Sequence, residues 1–451
     1  MKINKFSLVL SFLASFNFLI CNVASEGSDK YYVSLARECK DKGDRRQAIK
    51  YYEVALKVNP DNIQANYDLG IEYYCLREYE KARDIFERLS IQFPNDYSVV
   101  LIEARVYQGL GSIYKAIENY KKVIQLKPDC KMAYKELGYC YFMMGDYKKG
   151  LDYQYKIGMD GKGRTDAGYQ DKLWDGKKSL VNKVILLRDE GGFGDMFQWI
   201  RFGEFVKKRE AYVVVEARRN IIPLLSNCPY IDKLIEKGTK YDQFDYHIFA
   251  GGIWRACKLG LDNMPKNIPY LYADEILIRK WKKKLSQDDK FKIGICWDPQ
   301  LYRDLNTGKV LENNRAIPLS IFYSLGKLEN VSLYSLQQRN GLEQLDTMPE
   351  DFKIHTFNNA FDRTYGSFMD TAAVMKNIDL VITADTSIAH LAGALGVKVW
   401  VMLPFSHDWR WMKDKRHSPL YPTMRLFRQK RNDDWGSVMK EVEAELFHII
   451  N

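Results

Sequence analysis

The sequence predicts an array of α-helical repeats followed by two α/β lobes of the Rossmann type. Three features of its 451 residues support this prediction. A period of 34 residues runs through residues 29–160, strand-like and helix-like segments alternate in two sets after residue 180, and each set has a strand that ends in a turn rich in glycine or in threonine and serine. Such a period is typical of stacked helical pairs, and such alternation is typical of parallel sheets covered on both faces.

The repeat is defined by residues that recur at equivalent positions of four units. Prolines close three successive units, small residues recur in the first helices, and large residues recur in the second helices: Pro60, Pro94 and Pro128; Ala36, Gly70, Ala104 and Gly138; Tyr52, Phe86 and Tyr120. Small and large positions alternate because paired helices must interlock, and one pair cannot bury its own apolar face. The pattern predicts four tetratricopeptide repeats over residues 29–160. Gln154 stands where a fourth large residue is expected, which indicates a modified end unit.

Stacked repeats of this kind present a concave surface, so the array predicts a protein or peptide partner. The residues equally allow a structural role as a docking platform. A formal charge of +10 favours anionic ligands such as phosphates and nucleotides. The basic residues are scattered rather than gathered in blocks, and no nucleic-acid partner is predicted.

Residues 1–25 have the features of a signal peptide. Two lysines precede an apolar run over residues 6–20, and Val23-Ala24-Ser25 offers a cleavage site, so the mature chain is predicted to begin near Glu26. A short membrane anchor is the alternative, although the run is short for a membrane span. The 8 cysteines have no paired spacing, which is typical of a reducing compartment. The localisation is therefore open between export or membrane association and the cytoplasm.

After residue 160 the pattern changes to strands and helices. Residues 161–180 are predicted to be a polar linker, residues 181–288 an N-terminal lobe and residues 289–451 a C-terminal lobe. Strands are predicted at 183–188, 212–215, 245–249, 291–297, 331–336, 353–357, 380–384 and 397–403. Helices are predicted at 195–208, 220–228, 278–284, 319–328, 368–378 and 386–395. Ligands of parallel sheets bind beyond the carboxyl ends of the strands, so the turns after strands are the places to look for a site.

The first such turn is Gly191-Gly192-Phe193-Gly194-Asp195 in the N-terminal lobe. Gly191, Gly192 and Gly194 allow close approach of the backbone to a substrate, and the helix start presents free N–H groups. We predict this turn to be an acceptor loop, with Asp195 as the general base at the mouth of the cleft. The structural alternative is that Asp195 caps its own helix.

The second turn is Asp385-Thr386-Ser387, which opens a helix that contains His390 one turn later. The dipole and amides of such a helix start suit a diphosphate, and His390 could lend a hydrogen-bond donor. The structural alternatives are that Asp385 and Thr386 are ordinary N-caps and that His390 is a core residue. The occurrence of both turns in the two lobes of one cleft favours the functional interpretation.

These residues also carry a resemblance to a known family. The stretch Asp370–Asp408, DTAAVMKNIDLVITADTSIAHLAGALGVKVWVMLPFSHD, resembles the donor-binding region of heptosyltransferase-type glycosyltransferases, especially of bacterial proteins that fuse tetratricopeptide repeats to such a domain. Residues 409–411, 418–429, 335–337 and 314–319 resemble the same subgroup, and the sequence GGFGD resembles the family's glycine–aspartate turn. The resemblance covers roughly residues 181–445 and implies the two-lobed GT-B architecture.

The resemblance implies a metal-independent glycosyltransferase that uses a nucleotide-sugar as donor substrate and needs no cofactor. Asp195 would deprotonate the acceptor hydroxyl, and the second turn would hold the sugar diphosphate through Asp385, Thr386, Ser387 and His390. Arg315 is our predicted phosphate-binding cation, with Arg303 and Arg339 as further candidates.

The family usually has glycine at the position of Ser387, so neither heptose nor an ADP donor is implied. The alternative function is a non-enzymatic interaction protein with a degenerate GT-B domain. A signal peptide would favour that alternative in a bacterium, because nucleotide sugars are cytosolic there.

Overall fold

The computed structural model describes residues 27–157, 170–189, 191–299 and 314–450. The signal peptide or anchor predicted for residues 1–25, the first part of the predicted linker and Arg303 lie outside the described residues. The chain divides into two compact units between Cys140 and Tyr141. Within the described part, no helix is long and apolar enough to cross a membrane.

Helical pairs make up the predicted repeats. The helices are α1 (Asp29–Asp41), α2 (Arg45–Val58), α3 (Ile63–Cys75), α4 (Tyr79–Gln92), α5 (Tyr97–Gly109), α6 (Ile113–Leu126), α7 (Lys131–Met143) and α8 (Tyr147–Tyr155). The predicted large residues Tyr52, Phe86 and Tyr120 are fully buried, as is the small residue Ala104. A Cβ atom on Gly70 would lie 2.6 Å from the Phe86 ring, so the close contact of these two helices requires a residue without a side chain.

The second helix of the fourth repeat, α8, belongs to the C-terminal unit. Just before it, Phe142 packs on Trp254 and Trp409 with ring-centroid distances of 5.1 and 4.9 Å. Gln154 is fully buried in α8, at the position where the other repeats have a large apolar residue. The part of the last repeat that follows Cys140 therefore packs within the C-terminal unit.

The first sheet of the C-terminal unit has four parallel strands. They are β1 (Val184–Arg188), β2 (Tyr212–Ala217), β3 (Lys233–Glu236) and β4 (Tyr246–Phe249), in the order β3-β2-β1-β4. The accompanying helices are α9 (Phe193–Trp199), α10 (Arg201–Lys207), α11 (Ile222–Leu225), α12 (Ile253–Ala256) and α13 (Glu275–Leu285). Strand β3 was not predicted because it lies at the edge of the sheet and only Ile235 is buried, so it has no apolar run.

The second sheet has five parallel strands. They are β5 (Phe291–Cys296), β6 (Val331–Ser335), β7 (Leu380–Ala384), β8 (Val399–Leu403) and β9 (Met424–Arg428), in the order β6-β5-β7-β8-β9. The helices of this part are α14 (Met369–Met375), α15 (Ser387–Leu395) and α16 (Trp435–Ile450). Two sets of parallel strands with helices between them agree with the predicted α/β character of this region.

Several predicted elements differ from those in the structure. The predicted strand at 353–357 is wrong, because this segment pairs with β6 only through a bridge of His355 to Tyr334. The helix predicted at 319–328 consists of two short 3₁₀ helices, Leu319–Tyr323 and Leu325–Lys327. Ile200 interrupts the helix predicted at 195–208. Strand β9 and helix α16 were not predicted, since no strand or helix was assigned after residue 403.

Candidate functional site

Strand order locates the ligand-binding edge of each sheet. Strand β1 lies between β2 and β4, and strand β5 lies between β6 and β7, so the strand order reverses direction next to β1 and next to β5. In open parallel sheets, ligands bind at such switch points, outside the carboxyl ends of the strands. The turn at 191–195 follows β1, and Asp385 follows β7. Both predicted turns therefore lie beside a switch point, which residue patterns alone could not establish.

The glycine turn after β1 fixes the carboxylate of Asp195. Gly191 has a φ of +75°, and a Cβ atom there would lie 2.3 Å from Asp195 Oδ2. The Gly192 N–H donates to the same oxygen at 2.8 Å. A left-handed residue without a side chain is thus required at position 191. Asp195 does cap the start of α9, as the structural alternative proposed, but this uses only one of its two oxygens.

Arg410 binds the other oxygen of Asp195. Its Nη2 donates to Asp195 Oδ1 at 2.6 Å, its Nη1 donates to Asp408 Oδ1 at 3.0 Å, and its Nε donates to Gln198 Oε1 at 2.8 Å. Burial alone would lower the pKa of Arg410, but Asp408 and Asp195 outweigh it and raise that pKa. Arg410 was not predicted as a site residue, because its partner Asp195 lies 215 residues away in the sequence.

Asp385 lies in a different environment at the end of β7. Its side chain is only 7% exposed, and the cation of Arg315 lies close to it, with Nη1 3.9 Å from Asp385 Oδ2. Burial raises the pKa of Asp385, and the Arg315 charge opposes this shift. Of the predicted cations, Arg315 therefore lies at the second turn, whereas Arg339 is exposed in the loop after β6.

Thr386 begins helix α15 as its N-cap. Its Oγ1 accepts from the Ile388 N–H at 3.1 Å and lies 3.2 Å from the Thr383 hydroxyl. The Thr386 hydroxyl is therefore an ordinary helix cap in this structure, which was the structural alternative for this residue. Ser387 is half-buried at the first position of the helix.

His390 is buried one turn into α15. Its Nδ1 lies 2.9 Å from the Tyr421 hydroxyl, and its ring stacks on Trp411 at a centroid distance of 5.2 Å. Burial lowers the pKa of His390 to about 3, and the positive charge of Arg410 acts in the same direction. The ring is therefore neutral at physiological pH.

Helices α9 and α15 contact each other through Gly194. A Cβ atom on Gly194 would lie 2.9 Å from His390 Cδ2 and 3.5 Å from Ser387 Cα. The starts of the two helices, one from each sheet, are thus neighbours. The arrangement joins a partly exposed carboxylate, a helix start and the guanidinium of Arg410, a combination suited to binding an anion. Among the residues that the structure describes, no group of three or more His, Cys, Asp or Glu side chains could hold a metal ion.

Comparison with known proteins identifies the repeats. Tetratricopeptide repeat models match residues 41–102 and residues 100–130. These matches confirm the prediction of tetratricopeptide repeats, which supports a role in protein–protein interaction. The glycosyltransferase assignment of the C-terminal unit stays a prediction.

Relatives are similar over different parts of the chain. BBSome complex member BBS4 from Bos taurus is 27% identical over 111 residues, which are 25% of this chain and 21% of that protein. Protein FlbA from Caulobacter vibrioides is 21% identical over 411 residues, which are 90% of this chain and 64% of that protein. The chain thus spans less than two thirds of the length of either relative. The solved structure of MamA from Desulfovibrio magneticus is 19% identical, covers 31% of this chain and 80% of its own, and has a TM-score of 0.30.

Proposed function

We propose that the C-terminal unit is a metal-independent glycosyltransferase of the GT-B type, and that the repeats bind a protein partner or present the acceptor. The observation that carries the proposal is the direct contact of α9 and α15 through Gly194. Through this contact a carboxylate and an anion-binding helix start, each beside the switch point of a parallel sheet, share one site.

In the proposed reaction the start of α15 binds the diphosphate of the donor. Backbone N–H groups and the helix dipole favour an anion there. Arg410 and Arg315 supply positive charge, and they stabilise the negative charge that develops on the leaving diphosphate. Fixed cations of this kind take the part that a metal ion has in other transferases.

Asp195 is the proposed general base. It accepts the proton of the acceptor hydroxyl while the acceptor oxygen attacks the anomeric carbon of the sugar. The bond from that carbon to the diphosphate oxygen breaks, and the diphosphate leaves with the electron pair. Arg410 donates to Asp195 Oδ1, so we expect Arg410 to turn toward the diphosphate when the donor binds and to release Asp195 for this step.

Binding and turnover of a donor test the proposal. Thermal unfolding with adenosine, guanosine, uridine and thymidine diphosphates should show stabilisation by one of them, about 2.7 kcal/mol at a hundredfold excess over its Kd. The corresponding nucleotide sugar should then release that diphosphate in the presence of an acceptor. A protein that binds none of these nucleotides at millimolar concentration would contradict the proposal.

A second function is a non-enzymatic interaction protein, which is favoured by the repeat matches and by the engagement of both oxygens of Asp195. In this case the C-terminal unit would be a non-catalytic scaffold. The same titration separates the two functions, because a scaffold has no reason to bind nucleotides.

A further inference from the structure

A buried arginine lies against Tyr421, the hydrogen-bond partner of His390. Arg201 is only 2% exposed. It donates to the carbonyl oxygens of Gln198 and Leu420 at 2.9 and 3.0 Å and to the hydroxyl of Tyr270 at 2.9 Å. Its guanidinium lies over the rings of Tyr270 and Tyr421, 4.6 and 4.8 Å from their centroids. A charged donor is thus embedded between two tyrosines.

The chemistry of these groups sets the direction of each hydrogen bond. A guanidinium has only donors, so the oxygen of Tyr270 must accept from Arg201. The proton of Tyr270 then turns toward the Tyr421 oxygen, 3.5 Å away. Because the Tyr421 oxygen accepts from that side, its own proton is directed at Nδ1 of His390, 2.9 Å away. Burial raises the pKa values of both tyrosines, so both keep their protons at neutral pH.

The direction of this chain determines the tautomer of His390. Nδ1 accepts a hydrogen bond and carries no proton, so a neutral ring must carry its proton on Nε2. Among the described residues, Nε2 has no hydrogen-bond partner. His390 as a whole is 6% exposed. Nε2 lies on the ring edge that faces Gly194, 3.6 Å from where a Cβ atom would be, and Ser387 Cα lies beside the same point.

We propose that Arg201, Tyr270 and Tyr421 are positioning residues that hold His390 as the Nε2–H tautomer, so that His390 presents a fixed hydrogen-bond donor to a nucleoside diphosphate at the start of α15. The identity of the ligand rests on the proposed function, whereas the tautomer does not. A neutral donor serves here because a further positive charge would be repelled by the surrounding arginines. A donor oriented in advance loses little entropy on binding.

The tautomer can be measured in the unmodified, ligand-free protein. Histidine labelled with ¹⁵N gives long-range ¹H–¹⁵N correlations whose pattern distinguishes the two tautomers. The chain has 6 histidines, and a His390→Gln variant identifies the signal of interest. We expect Nδ1 to be the unprotonated nitrogen and Nε2 to carry the proton. A spectrum of the Nδ1–H tautomer, or of an imidazolium at neutral pH, would overturn the proposal.

Tyr421→Phe tests the positioning residue with little change in packing. It keeps the ring but removes the proton directed at Nδ1, so we expect a mixture of tautomers and a roughly 10-fold loss of affinity for the nucleoside diphosphate that binds best. Tyr230→Phe is the matched control. Tyr230 is also buried, and its hydroxyl donates to the backbone oxygen of Tyr270 at 2.6 Å rather than to the chain that ends at His390. The control should change neither the tautomer nor the affinity.

A double variant shows whether Tyr421 acts through His390. In the His390→Gln background, Tyr421→Phe should cause no further loss of nucleotide affinity, because its target is gone. An equal additional loss would mean that Tyr421 acts by supporting the fold, which contradicts the proposal. If the Nε2–H tautomer is observed but no nucleoside diphosphate binds, the proposed function and the ligand are wrong while the positioning of His390 stands.

Discussion

The two helix starts that meet at Gly194 hold their carboxylates in opposite ways. Asp195 is 32% exposed on its side chain and has two donors in contact, the Gly192 N–H and Arg410. Asp385 is 7% exposed on its side chain, and its ion pair with Arg315 is long, with 3.9 Å between Arg315 Nη1 and Asp385 Oδ2. Burial raises the pKa of Asp385. A partly exposed carboxylate can exchange one partner for a substrate, whereas a buried one mainly fixes the charges around it. The first helix start is therefore suited to proton transfer, and the second to electrostatic binding.

Asp195→Asn breaks this comparison most directly. If Asp195 is the base, the rate of sugar transfer should fall about 10²- to 10⁴-fold. Nucleotide affinity, measured by calorimetry, should hardly change, because the amide keeps the size and much of the hydrogen bonding. Full turnover by the variant with an identified acceptor would leave Asp195 as a helix cap only.

Arg410→Met tests whether one guanidinium stabilises the carboxylates of both Asp195 and Asp408. Its removal leaves Asp195 and Asp408 without their cation. We therefore expect the free energy of unfolding, measured by urea denaturation, to fall by about 2–4 kcal/mol. Arg431→Met is the control, since Arg431 is 85% exposed in its pair with Asp434 and should change stability by less than about 0.5 kcal/mol. Similar effects of both changes would show that Arg410 is no more than a surface ion pair.

Gly194→Ala sharpens the comparison at the point of contact. The new methyl group would lie 2.9 Å from His390 Cδ2, so we expect α9 and α15 to separate slightly, with a loss of about 1–3 kcal/mol in stability and weaker nucleotide binding. Gly436→Ala is the matched control. Gly436 is likewise the second residue of a helix, and a Cβ atom there meets nothing within 4 Å. An unchanged Tm for Gly194→Ala would remove the argument for direct helix contact.

Thr386→Val should have a smaller effect on stability. The change removes the oxygen that accepts from the Ile388 N–H, and losing such a cap costs about 1 kcal/mol. Under the proposed function, nucleotide affinity should also fall while the rate of the chemical step at saturating donor is maintained. Loss of turnover at saturating donor with unchanged affinity would reverse the roles assigned to the two helix starts.

Asp385→Asn should change how the stability of the protein depends on pH. Because burial raises the pKa of Asp385 in the folded protein, its contribution to stability is present below the ordinary pKa of aspartic acid and is lost as the pH rises through the folded value. Asparagine has no such loss. The stability of the variant relative to the unmodified protein should therefore increase as the pH rises, as measured by urea unfolding at several pH values. A difference in stability between the two proteins that is constant with pH would contradict a raised pKa of Asp385.

Much of the fold could be predicted because its signals are local. The repeats follow from a small residue and a large residue that recur at fixed spacing, and Gly70 and Phe86 do pack against each other. Strands such as β1 and β7 are continuous apolar runs. Strand β3 was missed because at the sheet edge only Ile235 is buried, and the segment at 353–357 was misread because an apolar run does not guarantee pairing over its length.

The sequence by itself determined the class of each unit and the two turns, because periodicity, apolar runs and glycine requirements act between near neighbours in the chain. Only the tertiary structure decided which side chains those turns meet. Arg410 reaches Asp195 across 215 residues, and Arg201 reaches the Leu420 carbonyl across 219 residues. Neither contact leaves a local pattern in the sequence, because the order of the strands and the packing of the helices decide which distant residues meet. The direction of the hydrogen bonds that end at His390 likewise exists only once both sheets have brought their helices together.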